Sequence, residues 1–260
     1  MPIFVRYHFA GGEHYGLLEG EERVERLTGT PFDGYRTTGE SIPLSEIRIL
    51  PPCRPSKVIA IGLNYRDHAR EFNLEVPKEP LIFMKPASAV IGHREPIRAP
   101  TMSRQVDFEA ELGVVIGRTC RRVTREKARD YILGYTCVND VTARDLQKRD
   151  GQWTRAKSFD TFCPIGPFLV TNIDPGDLAV QSYLNGELRQ SSRTRELIFP
   201  VEELVCFISR IMTLVPGDII STGTPSGVGP MVPGATIEVQ VEQVGRLINT
   251  VVEEEGSEAS

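Results

Sequence analysis

The sequence lacks a long apolar run, a paired-cysteine motif and an excess of positive charge, and each absence removes a class of function. No apolar stretch approaches the roughly 20 residues a membrane-spanning helix requires, so no membrane partner is expected. Lys and Arg total 30 against 35 Asp and Glu, a net charge of -5. That balance leaves no electrostatic footprint for nucleic acid. The five cysteines, Cys53, Cys120, Cys137, Cys163 and Cys206, are odd in number and widely spaced. Neither a disulfide framework nor a cysteine-based metal site follows from them. Reduced thiols suggest a cytoplasmic protein, as does a first segment, Met1 to His8, without a basic leader followed by apolar residues.

What is present starts with the run from Asp107 to Gly117, where two carboxylates interrupt an otherwise apolar strand pattern. Alternation along a strand puts Phe108, Ala110, Leu112, Val114 and Ile116 on one face and Glu109 with Glu111 on the other. Two like charges roughly 6 to 7 Å apart on one half-buried face repel unless a cation or solvent offsets them. An ordinary solvated strand face is one reading; a divalent metal site is the sharper one. Asp140 closes another apolar segment, Tyr131 to Val138, within Asn139-Asp140-Val141-Thr142-Ala143-Arg144-Asp145, and supplies a natural third carboxylate. A hard, all-oxygen set of this kind suits Mg²⁺, Mn²⁺ or Ca²⁺ rather than zinc.

At these residues the chain resembles the fumarylacetoacetate hydrolase family. The family's glutamate pair, its aspartate in an Asn-Asp-Val-Thr-Ala-Arg-Asp type segment and its lysine in Ala-Lys-Ser appear here as Glu109, Glu111, Asp140 and Lys157. The likeness continues through Ile61 to Glu71, Phe83-Met84-Lys85-Pro86 and Ser221 to Gly229, and so covers residues 54 to 252. It implies that Glu109, Glu111 and Asp140 hold the metal while Lys157 balances the site and holds an anionic oxygen of substrate. Arg144 and Asp145 beside the metal segment fit either a ligand-orienting role or plain salt bridges. His68 and Glu71, three apart, are either a solvated helix face or, as the resemblance implies, a proton-transfer dyad on a lid. His8, His14 and His93 carry no such expectation.

The Ser221 to Gly229 stretch contains three glycines but no Gly-Lys-Ser/Thr ending, which disfavours a nucleotide loop. Thr222, Gly223 and Thr224 could offer hydroxyl and backbone donors to a substrate carboxylate, with a simple structural turn as the alternative. The resemblance implies Mg²⁺-dependent chemistry on a 2-oxo or 2-hydroxy-2-enoic acid through an enolate. The first expectation is an isomerase, or isomerase and decarboxylase, of the 2-hydroxyhepta-2,4-diene-1,7-dioate type in aromatic-acid breakdown. An acylpyruvate hydrolase or oxaloacetate decarboxylase is the second, and a non-catalytic metal-binding member of the fold the third. A small-molecule keto or enol acid is the expected partner, and a homodimer the expected assembly.

Organisation follows from punctuation and period. Residues 1 to 53 alternate short apolar runs with turn signals and read as a small β-rich N-terminal domain. Pro51-Pro52-Cys53-Arg54-Pro55 makes a stiff junction, residues 54 to 252 form the main domain, and residues 253 to 260 are an acidic tail. Val201, Leu204, Val205, Ile208 and Met212 recur at helical spacing after Pro200, and Thr124 starts a second helix to Tyr131. Tyr65 to Phe72 can form a short helix. Asn185-Gly186 predicts a hairpin, with further strands at Lys57 to Ile61, Ile219 to Thr222 and Ile237 to Val241. This pattern reads as α+β, and the resemblance sharpens it to a mixed β-sandwich roll.

Overall fold

The computed structural model describes residues 1–71 and 75–254, with His68, Ala69 and Glu71 described by their backbone alone. Among these residues the strands form three sheets of twelve, five and three strands, and the longest helix is Val201–Ile211. The fold is α+β, as the strand-rich pattern predicts.

The twelve-stranded sheet begins with an antiparallel meander, Ile3–Phe9, Gly12–Glu19, Arg23–Thr30 and Gly34–Pro43. This meander joins the rest through Ile3 opposite Val170, so the first strands extend the main sheet. Beyond Cys163–Val170 the order runs Ile132–Asn139, Ala110–Ile116, Ile219–Ser221, Val58–Gly62 and Leu81–Lys85. Ile219–Ser221 and Val58–Gly62 pair in parallel, which brings two distant segments side by side under the site.

A five-stranded sheet contains the hairpin Ala179–Leu184 and Glu187–Arg193, with Asn185 and Gly186 both at positive φ, the twist that suits a two-residue turn. Its inward residues Val180, Val239, Val241 and Leu247 share one buried cluster with Leu112 and Val114 of the large sheet. Leu204, Val205 and Ile208 complete that cluster from Val201–Ile211, whose apolar stripe matches its 3.6-residue period. Thr124 to Tyr131 takes the tighter form of a 3₁₀ helix over Arg125–Tyr131. The helices Arg144–Asp150 and Thr154–Lys157 carry no sequence expectation of their own and are made where the chain leaves the core for the site.

All five cysteines are free and buried. Among the described residues no helix is long and apolar enough to cross a membrane.

Candidate active site and metal centre

The run carrying the two glutamates is not one strand. Val106–Phe108 belongs to the three-stranded sheet, and Ala110–Ile116 to the twelve-stranded one, with the break at Glu109. The neighbouring chain changes sheets at the same level: Ala110 lies opposite Asn139 in the large sheet, whereas Asp107 lies opposite Thr142 in the small one. Glu109 and Asp140 fill this double crossover. Their main chains stay joined, because the Asp140 N–H donates to the Glu109 carbonyl at 2.9 Å and the Glu109 N–H donates to Asn139 Oδ1 at 2.9 Å. Two residues on, Glu111 adds its carboxylate from the large sheet, and one carboxylate oxygen from each of Glu109, Glu111 and Asp140 lies within 4.8 Å of the others. All three residues are buried, which excludes the solvated-face reading.

Cations surround this cluster. Lys157 Nζ donates to Glu109 Oε2 at 2.9 Å and to Asp140 Oδ2 at 2.6 Å. Lys85 Nζ donates to Asp140 Oδ1 at 2.5 Å and to the Val141 carbonyl at 3.1 Å. Arg144 forks between Asp107 Oδ2, at 2.8 Å, and Glu109 Oε1. Glu111 is treated differently, accepting from two neutral donors, Ser221 Oγ and the Gly223 N–H, the latter at 2.8 Å.

The consequence is an uneven site. Burial opposes the Glu109 charge, yet the Lys157 and Arg144 cations hold its carboxyl well below the usual range. Burial also opposes the Lys157 charge, and Asp140 and Glu109 more than offset it, so Lys157 stays protonated. Glu111 goes the other way, pushed up to about 8 by burial and then by the charges of Asp140 and Glu109. With Glu111 ionised, the four acids, Asp107 included, exceed the three bases Lys85, Lys157 and Arg144 by one charge. A divalent cation fits that deficit, and carboxylate oxygens already bonded to an ammonium keep lone pairs for it.

A cavity of about 500 Å³ opens over the cluster. Glu109, Glu111, Lys157, Arg144 and Gln147 contribute its polar lining, while Ile61, Leu63, Phe83, Trp153 and Val228 contribute apolar surface. Mixed linings of this kind hold a small acid by a few polar groups and exclude water with the remainder.

The other expected residues fall in different places. Arg144 orients Glu109 directly. Asp145, one residue further along the helix, does not join the carboxylate cluster and accepts instead from Ser103 Oγ at 2.6 Å and the Arg104 N–H at 3.2 Å. A step of one helical residue rotates a side chain by about 100°, which is why the neighbours part company. Thr222 Oγ1 donates to the Leu112 carbonyl and Thr224 Oγ1 to the Ala110 carbonyl, each at 2.9 Å. Both hydroxyls thus secure the loop to the strand rather than reach into the cavity as donors, although Thr224 lines it. Gly223 supports Glu111 rather than a substrate carboxylate. The dyad expected of His68 and Glu71 falls on side chains outside the described residues; the helix Arg66–Glu71 carries their backbone.

Four supporting residues have no role assigned by the sequence pattern. Lys85 closes an apolar strand before a proline and is fully buried. Asp107 begins the glutamate run. Gln190 Oε1 accepts from the Ala110 N–H at 3.0 Å, and its Nε2 donates to Thr224 Oγ1 and the Pro225 carbonyl, each at 2.8 Å. Asn64 Nδ2 donates to the Thr222 and Phe199 carbonyls at 2.7 and 3.1 Å. Lys85 closes an apolar strand within the Phe83-Met84-Lys85-Pro86 likeness and Asn64 lies within that of Ile61 to Glu71, whereas Gln190 carries no local signal.

Fold and cluster together define a class: an α+β enzyme scaffold whose buried carboxylates could hold a divalent cation. A family model described as fumarylacetoacetate (FAA) hydrolase C-terminal matches residues 57–252, and another described as Rv2993c-like, N-terminal, matches residues 4–52. The chain belongs to the fumarylacetoacetate hydrolase family. It is 56% identical over 221 residues to an uncharacterized protein of Archaeoglobus fulgidus, covering 85% of this chain and 86% of that one. It is 47% identical over 249 residues to oxaloacetate tautomerase FAHD2B, mitochondrial, of Bos taurus, covering 91% and 79%. The solved 5-carboxymethyl-2-hydroxymuconate delta-isomerase from Mycobacterium smegmatis matches with a TM-score of 0.92 at 44% identity, covering 98% of this chain and all of that one.

Proposed function

We propose that this protein is a Mg²⁺-dependent isomerase of small 2-oxo or 2-hydroxy-2-enoic acids, moving a proton between carbon and oxygen or along a conjugated chain. The observation that carries this reading is the convergence of Glu109, Glu111 and Asp140 within 4.8 Å, with Lys157 bridging two of them at the floor of a cavity. Glu109, Glu111 and Asp140 would hold the ion. A divalent cation bound there would supply Lewis acidity toward the oxygens of an oxo acid, which lowers the cost of moving the adjacent carbon-bound proton to a base, the role that the sequence resemblance gives His68.

The remaining work belongs to the chain. Lys157, held protonated, offers its ammonium to a substrate carboxylate or developing oxyanion. Arg144 fixes the Glu109 carboxylate between itself and Lys157, and its Nη1 donates to Gln147 Oε1 at 2.6 Å, which steadies a further polar wall of the cavity. Ile61, Leu63 and Phe83 keep water from the apolar side. A dicarboxylic substrate of the hydroxymuconate or oxaloacetate kind fits the positive balance that a divalent cation would give the cluster. The similarity to a muconate isomerase and to an oxaloacetate tautomerase supports proton transfer over carbon-carbon hydrolysis. Cytoplasmic residence and a homodimer complete the reading, the latter checked by light scattering.

The test is ultraviolet-monitored decay of enol-oxaloacetate and of a 2-hydroxymuconate-type diacid, each with Mg²⁺ and with EDTA. Mg²⁺-dependent loss of enol absorbance, abolished in Glu111→Ala together with Mg²⁺ affinity, is expected. Equal decay with EDTA, or wild-type activity and affinity in Glu111→Ala, would overturn it.

A further inference from the structure

The candidate site shares a wall with a second cavity. One space, of about 500 Å³, contains Glu109 and Lys157 in its lining; the other, of about 680 Å³, is lined by Lys57, Gln152 and Ser158 among others. Among the described residues, Phe83 and Trp153 alone line both. Their rings meet edge to face, with centroids 5.2 Å apart and planes inclined at 74°, an arrangement aromatic pairs favour.

Each ring is held by its own element. Phe83 lies on Leu81–Lys85 opposite Ala60, and Lys157 Nζ sits 4.9 Å from its ring centroid. One ring therefore touches both the site's ammonium and the second aromatic. Trp153 precedes the helix Thr154–Lys157, and its carbonyl accepts the Lys157 N–H at 3.0 Å, so indole and ammonium belong to one local unit. Gly62 provides the seat for the indole: a Cβ there would stand 2.6 Å from a ring carbon, closer than real contacts allow. Beyond the rings the second space is not an apolar void. Ser158 Oγ is buried with no hydrogen-bond partner among the described residues, and the Lys57 side chain contributes to the lining.

We propose that Phe83 and Trp153 are specificity-determining residues, forming a partition between two chambers that limits the size of the substituent an oxo acid can carry beyond its carboxylate end. This rests on the oxo-acid reading above. A substituent large enough to cross the partition must displace the indole from Gly62 and from Phe83, and packed rings resist such a shift. A short acid fits on the Lys157 side without touching the second chamber. Removing the indole joins the chambers and exposes the buried Ser158 hydroxyl to whatever enters.

The test compares Mg²⁺-dependent affinity for acetylpyruvate and benzoylpyruvate by calorimetry in the wild-type protein, Trp153→Ala and Phe83→Leu. Trp153→Leu replaces the alanine variant if that one lacks a cooperative melt. The wild-type protein is expected to favour the acetyl acid, and the preference to fall by about tenfold or more in Trp153→Ala, the scale on which pocket size discriminates. A preference within about twofold of wild type in every folded variant overturns the partition. Mg²⁺-dependent enol decay of oxaloacetate, followed in the same samples, reports the underlying reading separately: its absence in the wild-type protein overturns that reading, and absence of affinity for both acylpyruvates overturns the partition.

Discussion

Lys85 and Asp140, 55 positions apart in sequence, form an ion pair at 2.5 Å in which the lysine is 0% and the aspartate 1% exposed. The pair ties the edge strand Leu81–Lys85 to the crossover that carries the carboxylate cluster. Asp140 is thereby fixed from one side by Lys85 and from the other by Lys157. A carboxylate held in this way would need no ordering to accept a cation.

Lys85→Met is expected to lower stability by about 2 to 3 kcal/mol in EDTA, because it leaves the buried Asp140 charge with one ammonium fewer. Saturating Mg²⁺ should restore most of that loss, since the cation supplies the missing positive charge. Urea unfolding with and without Mg²⁺ measures both; an equal loss in the two conditions would separate Lys85 from the metal centre.

Gly223 stands at φ +99°, and a Cβ there would lie 2.7 Å from the Asn64 Cβ. Gly223→Ala should cost about 2 kcal/mol or more from backbone strain alone. It should also weaken Mg²⁺ binding, because the Gly223 N–H holds Glu111. Calorimetric titration of a folded variant at unchanged affinity would contradict the second expectation.

Gln190 is buried, and its amide bonds to Ala110, Thr224, Pro225 and Ser182. Gln190→Leu keeps the volume near that of glutamine and strands those partners, at an expected cost of about 3 kcal/mol in chemical denaturation. Gln190→Glu, which keeps an acceptor for Ala110 and Ser182, should recover part of it.

His93 provides the pH dependence. Burial, then the charge of Arg94, pulls its imidazole down to about 4, and its Nδ1 accepts the Ile248 N–H at 3.2 Å. The unfolded imidazole protonates near 6.5 and the folded one does not until lower pH, so stability falls as pH drops from about 6.5 toward 4. His93→Asn, which keeps an acceptor, should show a smaller loss between pH 7 and pH 5 than the wild-type protein. Identical losses would remove His93 as the cause.

Much of the site was legible before folding, because its chemistry is written in residue types that local pattern makes conspicuous. Glu109, Glu111 and Asp140 stand out as charges closing or breaking apolar strands, and burial of all three follows once those strands enter a core. The Asn185-Gly186 turn and the stripe of Val201–Ile211 are similarly local, since turn chirality and helical period depend on a few neighbouring residues.

Sequence by itself therefore determined which residues bear charge, that the Asn185-Gly186 hairpin and the helix after Pro200 form, and which carboxylates can meet. Tertiary structure alone decided that the glutamate run divides between two sheets at Glu109, that Lys85 reaches Asp140, and that Thr222 and Thr224 spend their hydroxyls on strand carbonyls. It also separated Arg144, bonded to Glu109, from Asp145, bonded to Ser103. The reason is range: alternation and period assign a side chain to a face, whereas a hydrogen bond is chosen by which distant segment the packed sheets bring within about 3 Å.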